Sequence, residues 1–548
     1  MFGPLRLFKR NHVLLLILIF GIGLLVRFIH FNHITFGYDQ ARDAFMAIDI
    51  IKGDHLKIVG PNTDIFGLNH GVLYWYLMAP VYFLFGGSVS AAKLFLVLVN
   101  LGGIFTTYYV GSKVFNNTRI GLLSAFLYAV SFEAVQYARW LSNPSPALVT
   151  TLLSFYGLWL LLKSNQKGLL LFFIFWPLSV QFEFFLVSHI VLFMFVYGYM
   201  IVHENLKIDF RRLVSSAAVG LLLLSPLIIE QVKYGFRGIV SLLAFLGTDK
   251  SIVRSAMANY ISFLDKIINT FYWNISGLNL FVAGILAVCL LVYSVEKIRS
   301  KSQLSKPLIF SVFILLSPMI LFPFEKLTAN FVTLGNLYGA IFLVAFALDG
   351  LLASKKLVYK YAFVLIMLVI FAGNLSLISS QGKKGEILFS VQKSMTYNDE
   401  TALIDWVYKD AAGKEFSINT ITNPLFINTT WAYLFDHYGR NTYGYMPGWA
   451  GTTQVDVFGG NITMGLTDIS VAYAPLQSPR IGKLLYLIAE PETGIPLEYF
   501  GAYEAFENKR SKLLESHKFG TFVVEKRIYT SDEDVTAEKL FNIARGKK

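Results

Sequence analysis

Residues 12–44 read HVLLLILIFGIGLLVRFIHFNHITFGYDQARDA. The first twenty form an apolar run, and a bilayer-crossing helix needs about 20 such residues. Just beyond it, Gly37-Tyr38-Asp39-Gln40-Ala41-Arg42-Asp43-Ala44 brings two carboxylates to the water edge. An Asp or Lys at the centre of a membrane helix costs about 2.5–3.5 kcal/mol. A carboxylate pair at this edge, with more apolar segments to follow, points to a reaction site rather than to packing. Asp39 and Asp43 are spaced i, i+4, so a helix sets both on one face, and Arg42 can pair with either.

Composition agrees with a polytopic membrane protein. The 548 residues are 55% hydrophobic and 16% aromatic, and the mean hydropathy is +0.55. Charged residues make up 15%, against about 25% in a soluble protein. The 49 Phe and 29 Tyr suit a chain rich in interfacial aromatics. The net charge of +12 is attributed to basic cytoplasmic loops, and no nucleic-acid partner is expected. The single cysteine, Cys289, excludes an internal disulfide. Residues 12–30 are too long for a signal core and lack a small-residue cleavage site, so they read as a retained span.

Hydropathy marks candidate spans at 12–31, 88–112, 119–138, 145–162, 168–182, 184–202, 213–230, 273–295, 307–323, 328–350 and 357–379. The apolar piece 71–86 is short and contains Gly71, Pro80, Gly86 and Gly87. Arg6, Lys9 and Arg10 put the N-terminus in the cytoplasm. If 71–86 does not cross, Lys113/Arg119, Lys163/Lys167, Lys207/Arg211/Arg212, Lys297/Arg299/Lys301/Lys306 and Lys355/Lys356 all fall inside. If it crosses, every one of these loops lands outside, against the positive-inside rule. The expectation is therefore about eleven spans, with 71–86 a short helix packed on the outer side of the bundle. The outer loop 231–272 resists the rule, carrying Lys233, Arg237, Lys250, Arg254 and Lys266.

Beyond 379 the hydropathy collapses. Residues 1–380 read as the transmembrane domain and 381–548 as an extracytoplasmic soluble α/β domain. Strand-like runs Glu415–Ile421, Leu484–Ala489 and Thr521–Glu525 alternate with helical stretches Thr401–Lys409, Thr429–Tyr438 and Glu498–His517. The Gly/Asn/Pro-rich 440–462 reads as a long surface loop. Trp431, Tyr433, Asp436 and Trp449 either stack on a sugar or form a core strip.

This topology collects the unusual polar residues on one face. Asp39, Asp43, Asn69 and His70 flank the first outer loop; Arg139, Ser142 and Asn143 follow the third span. Gln181 and Glu183 lie between two spans that have almost no loop, and Glu325 and Lys326 lie between the ninth and tenth. Ionisable groups at such positions default to functional hypotheses. Each also has a plainer use. Arg139 can snorkel, Glu183 can pair with Arg139 or cap a helix, and His70 can satisfy helix-end backbone groups. Glu133 and Gln136 read as interhelical glue. Phosphate-cradling glycine loops, zinc-spaced His/Cys clusters and nucleophile elbows are absent from the sequence.

Three ordered segments carry a family resemblance: Tyr38-Asp39-Gln40-Ala41-Arg42 after span one, Asn69-His70-Gly71-Val72-Leu73-Tyr74-Trp75 opening the short helix, and Ala138-Arg139-Trp140 through Asn143-Pro144 after the third span. In these, over roughly residues 10–230, the chain resembles the membrane-embedded GT-C glycosyltransferases, in the protein O-mannosyltransferase and lipid A aminoarabinose transferase branch. The family often has Asp-Glu where this chain has Asp39-Gln40, so Asp43 is the stand-in for the second carboxylate. Two family prolines are Gly71 and Val72 here.

The resemblance implies a polyprenyl-phosphate sugar donor in the cell membrane and an acceptor hydroxyl on a protein, lipid or glycan. Asp39 is expected to be the base, with Asp43 its conditional partner. The cation for the leaving phosphate lies among Arg139, Arg237 and Arg254. His70, Tyr74, Asn143, Gln181 and Glu183 complete the expected substrate site. A divalent metal would require Asp39, Asp43 and Glu183 to converge, and none is expected. Two rivals are a transporter or flippase, which would show repeated halves and midplane polar sites, and a whole-glycan transferase with paired acids after span three, where this chain has Leu141-Ser142-Asn143.

Overall fold

The computed structural model describes residues 10–53, 56–63, 65, 67–247, 256–300, 304–320, 330–389, 392–423, 427–451, 480–491 and 497–531. The helices in chain order are α1 (Arg10–Phe28), α2 (Tyr38–Lys52), α3 (Leu73–Leu84), α4 (Val89–Phe115), α5 (Thr118–Val130) and α6 (Phe132–Arg139). Next come α7 (Pro144–Leu162), α8 (Lys167–Phe182), α9 (His189–His203), α10 (Phe210–Leu223), α11 (Ser225–Lys233) and α12 (Arg237–Gly247). Then follow α13 (Ala256–Phe271), α14 (Leu280–Arg299), α15 (Ser305–Leu316), α16 (Leu337–Ala353), α17 (Leu357–Lys384) and α18 (Tyr397–Ala411).

Among the described residues six helices are long and apolar enough to cross a membrane, or eight if each of two bent pairs is one span. Lys167–Phe182, Ser305–Ile320 and Leu337–Ala353 occupy three more of the apolar stretches read from the sequence, as shorter helices. The chain is an integral membrane protein of mainly helical fold. Residues 71–86 contain the short helix α3, only 12 residues long.

The chain divides into two compact units. The first comprises residues 1–31, 57–74 and 93–382. Both bent pairs belong to it, and each bend has a chemical cause. Between α5 and α6 the axis turns 55°. There the Ser131 hydroxyl accepts the Ala134 N–H at 2.9 Å, and Asn374 Oδ1 accepts the Phe132 N–H at 3.0 Å. Asn274 donates to Glu133 at 2.6 Å, so Glu133 is the interhelical tie the sequence suggests. Between α10 and α11 the turn is 64°, and Pro226 sits in the first turn of α11. A proline has no N–H to continue the helical ladder. One polar residue within α1 is also a tie. Buried Arg27 bonds Asn100 Oδ1 at 2.9 Å and the Gly23 and Ala129 carbonyls at 3.0 and 2.9 Å.

The second unit comprises residues 32–56, 75–92 and 383–548. Its sheet has strands β1 (Phe416–Ile421), β2 (Gly448–Trp449), β3 (Leu484–Ala489), β4 (Ser511–Phe519) and β5 (Phe522–Tyr529) in the order β2-β1-β3-β5-β4. β1 is parallel to both neighbours, while β3–β5 and β5–β4 are antiparallel. All six residues of β1 are buried, as suits a central parallel strand.

Two expectations change here. The helical stretch 498–517 ends early, because the helix stops at Arg510 and Ser511–Phe519 is strand β4. Phe519 faces Phe522 across a two-residue turn in which Gly520 has φ +57°, so hairpin pairing overrides the helix-forming Lys, Leu and Glu of that segment. The expected loop 440–462 contains a helical turn at Arg440–Tyr443 and strand β2, and from 452 onward it lies outside the described residues.

Helix α2 belongs to this second unit. Phe45 meets Tyr433 edge-on at 5.1 Å, and Tyr433 Oη donates to the Gly87 carbonyl at 2.5 Å. Trp431 and Tyr433 are core side chains, 0% and 1% exposed. Asp436 pairs with Arg440 at 2.7 Å.

Candidate active site and substrate-binding residues

Helix α2 begins at an extended Gly37, and Gln40 reaches back so that its Oε1 accepts the Gly37 N–H at 2.9 Å. That is a capping-box contact, and it gives Gln40 a role at the start of the helix. Its side chain is spent on the helix start and lies buried.

From this start the helix carries Asp39, Arg42 and Asp43 together. Arg42 Nη1 donates to Asp39 Oδ1 at 2.6 Å, and Arg42 Nη2 lies 2.9 Å from Asp43 Oδ1. Arg42 thus pairs with both acids. Trp75 Nε1 donates to the same Asp43 oxygen at 2.8 Å.

The two aspartates then part company. The Asp39 side chain is 38% exposed, and that of Asp43 is 3% exposed. Burial pushes the Asp43 carboxyl up to about 6, against the pull of Arg42 and Trp75. Asp43 Oδ2 has no partner among the described residues. The neighbouring Tyr38 hydroxyl is raised by burial and then by Asp39, while the two carboxylates raise Arg42 against a burial penalty. The geometry therefore presents one accessible carboxylate, Asp39, paired with a guanidinium that also binds the buried Asp43, whose oxygen accepts from the Trp75 indole.

The other expected residues that the structure describes lie in the first unit. Arg139, at the end of α6, is buried and its Nη2 donates to the Ile29 and His30 carbonyls just past α1, the latter at 2.6 Å. Gln181 Nε2 donates to the Leu223 carbonyl at 2.8 Å, at the α10–α11 break. Glu183 is fully buried and caps the turn Phe184–Ser188, its Oε1 accepting the Phe185 N–H at 3.3 Å. His70 Nδ1 lies 3.5 Å from the Phe184 nitrogen and 4.0 Å from Glu183 Oε2. Asn143 is buried with its Oδ1 unpartnered among the described residues, and Tyr74 is buried at the start of α3. Arg237 is exposed. Arg254, Lys250, Glu325 and Lys326 lie outside the described residues.

Gly71 sits where there is no room for a side chain. A Cβ there would sit 1.9 Å from Gln181 Oε1 and 2.6 Å from the Gln181 backbone. Three partners escaped the sequence reading. Glu230 accepts from Asn69 Nδ2 at 2.6 Å; a lone acid closing the apolar run of α10 and α11 was its signal. Trp75 stands in a quoted motif without an assigned role, and Gln40 was read as a missing acid rather than as a cap. Among the described residues, no three His, Cys, Asp or Glu side chains lie where they could share one metal ion.

No protein-family model matches this chain, and no curated protein matches it. Solved structures do. ArnT from Cupriavidus metallidurans in the apo state matches with a TM-score of 0.58 at 11% identity, over 93% of this chain and 97% of that one. ArnT bound to undecaprenyl phosphate matches at 0.56 over the same shares, also at 11% identity. The Archaeoglobus fulgidus oligosaccharyltransferase in its apo form matches at 0.50 and 12% identity, over 97% of this chain and 76% of that one. At such identities the likeness is one of architecture: over most of its length this chain shares the fold of these membrane proteins.

Proposed function

We propose that the chain is a membrane glycosyltransferase of the GT-C type, moving a sugar from a polyprenyl-phosphate donor to an acceptor hydroxyl on the extracytoplasmic face. The observation that carries this reading is Asp39, the accessible carboxylate on a helix whose following residues, Gln40 to Ala47, are buried. The fold shared with a protein solved in complex with undecaprenyl phosphate supports a lipid-phosphate donor.

In the reaction, a carboxylate oxygen of Asp39 takes the proton of the acceptor hydroxyl. The acceptor oxygen forms a bond to the anomeric carbon as the bond from that carbon to the phosphate oxygen breaks. The electron pair leaves with the polyprenyl phosphate, and a single displacement inverts the anomeric centre. Charge gathering on the leaving phosphate calls for a cation. The arginines considered for this charge are Arg139, Arg237 and Arg254; among them Arg139 is buried and bonded just past the end of α1. The N-terminus is cytoplasmic in this reading, and the C-terminal α/β domain is extracytoplasmic.

The test uses the full chain in lipid nanodiscs with synthetic C55-phosphate mannose, glucose, galactose and arabinose, following release of polyprenyl phosphate and transfer to acceptors extracted from the same membranes. Transfer from one of these donors, lost in Asp39→Asn, is expected. Full transfer by Asp39→Asn would show that Asp39 is not the base.

A further inference from the structure

Helix α2 is held at its N-terminus by a residue outside every motif above. Gln392 Oε1 accepts the Tyr38 N–H at 2.7 Å. The first N–H groups of a helix have no partner inside it, so this bond satisfies one such donor next to Asp39. Gln392 Nε2 donates to the Asn423 carbonyl, two residues past the end of β1. Asn423 is fixed in turn, since its N–H donates to Glu490 Oε2 at 2.7 Å and the other Glu490 oxygen accepts Trp431 Nε1 at 3.0 Å. A continuous set of hydrogen bonds thus runs from the carboxyl ends of β1 and β3 to the first turn of α2.

Two further observations show that this contact is built rather than incidental. A Cβ on Gly37 would lie 2.1 Å from Gln392 Oε1, so the glycine makes room for the amide. The segment before α2 is also clamped to the chain that follows Gln392. The Phe36 N–H donates to the Met395 carbonyl at 3.1 Å, and the Tyr397 N–H donates to the Ile34 carbonyl at 2.8 Å.

We propose that Gln392 is a positioning residue, anchoring the first turn of α2, and with it Asp39, to the end of strand β1. The inference rests on the reading of Asp39 as the base. It also gives the C-terminal domain a part in catalysis that requires no sugar binding. A misplacement of about 1 Å can cost 10²-fold in rate. One hydrogen-bonded amide beside the base is enough to set that distance.

The experiment uses the full chain in nanodiscs and the variants Gln392→Leu, Gln392→Glu and Gly37→Ala. Hydrogen exchange over residues 34–46 is read together with kcat and KM for whichever C55-phosphate sugar the parent chain uses. In Gln392→Leu the first turn of α2 should exchange about tenfold faster or more, with exchange in β1 and β3 unchanged. Its kcat should fall about ten- to a hundredfold and its KM for the donor should stay within about threefold. Gln392→Glu keeps the acceptor and should restore protection at Tyr38. Gly37→Ala should imitate Gln392→Leu, and the two together should be no worse than either.

Parent-like exchange and kcat in Gln392→Leu would overturn the proposal. So would faster exchange spread evenly over α2 and the sheet, which marks a general loss of fold. Asp39→Asn run alongside separates the two readings. If it is fully active the base assignment fails, while exchange still decides whether Gln392 holds α2. If it is inactive and Gln392→Leu behaves as the parent, only the anchoring proposal fails.

Discussion

Asp39 on α2 and Arg139 on α6 are both ionisable residues at the edge of an apolar segment, and the structure employs them differently. Asp39 keeps a side chain 38% exposed and pairs with Arg42 on the same helix. Arg139 is 3% exposed and bonded to the carbonyls that α1 leaves unpaired. Gln181 and Glu183 resemble Arg139, each serving the end of a helix or turn. In a bundle with broken helices, orphaned backbone groups must be satisfied inside the protein. A polar side chain at a membrane edge is therefore ambiguous by itself. Accessibility and the identity of its partners separate a reacting group from a cap.

The sharpest way to break this comparison is kinetic. Asp39→Asn keeps the size of the side chain and removes the base, so kcat should fall about 10²- to 10⁴-fold, the range general base catalysis supplies. Thermal stability should change little, because the group is part exposed. Arg139→Leu should do the reverse. It strands two carbonyls among buried surroundings, at a cost of about 1–3 kcal/mol for each lost partner. Its main signature should be a lower melting temperature, with donor affinity in the folded fraction close to that of the parent. A Gly382→Ala change should act in the same direction, since the added Cβ would lie 2.7 Å from Arg139 Nη1. If Arg139→Leu melts like the parent yet loses donor binding, Arg139 is a phosphate ligand first and a cap second.

What the sequence made legible follows the range of the interactions. The apolar runs, the short helix at 71–86, and strands β1, β3 and β5 depend on local composition and could be read directly. The split between Asp39 and Asp43 could not, because it depends on Trp75, 32 residues away, covering one acid and not the other. The partners of Arg139 lie 109 and 110 positions away, and Gln392 lies 354 from Tyr38. Nothing in local pattern encodes such pairs. The misread end of the Leu497–Arg510 helix has the same origin. Ser511–Phe519 looks helical alone and is a strand because β5 is there to pair with it.

Proton linkage tests the same contrast in the second unit with a smaller effect. Asp43 titrates near 6 in the folded chain and near 3.9 unfolded. The folded state then binds more protons than the unfolded one, so stability falls as pH rises from about 4 to about 6. Glu490 is pushed up to about 8 by burial, and its contribution falls from about 4.5 to about 8. Each group adds a slope of at most about 1.4 kcal/mol per pH unit inside its window. Chemical denaturation of the full chain across pH 4–8 should show Asp43→Asn flattening the lower part and Glu490→Gln the upper. If Asp43→Asn leaves the lower part of the curve as steep as in the parent, burial does not set the protonation of Asp43 as described.

The smallest expected effect concerns Gln40. If this chain lacked a needed second acid, Gln40→Glu would raise activity, because it restores the residue the family often has there. The structure argues otherwise. Gln40 Oε1 accepts the Gly37 N–H at 2.9 Å, and a Glu can make the same contact at this third helical position. Negative charge in the first turn of a helix is worth about 0.3–1 kcal/mol in its favour. Against this, a third negative charge would stand on the same helical turns as Asp39 and Asp43, and like charges so close offset a gain of that size. Gln40→Glu should therefore leave melting temperature and kcat near the parent values, with kcat within about threefold, a difference under 1 kcal/mol. A tenfold rise in kcat would mean that position 40 reaches the substrate, and that Asp43 behind Trp75 does not take the place of the family's second acid.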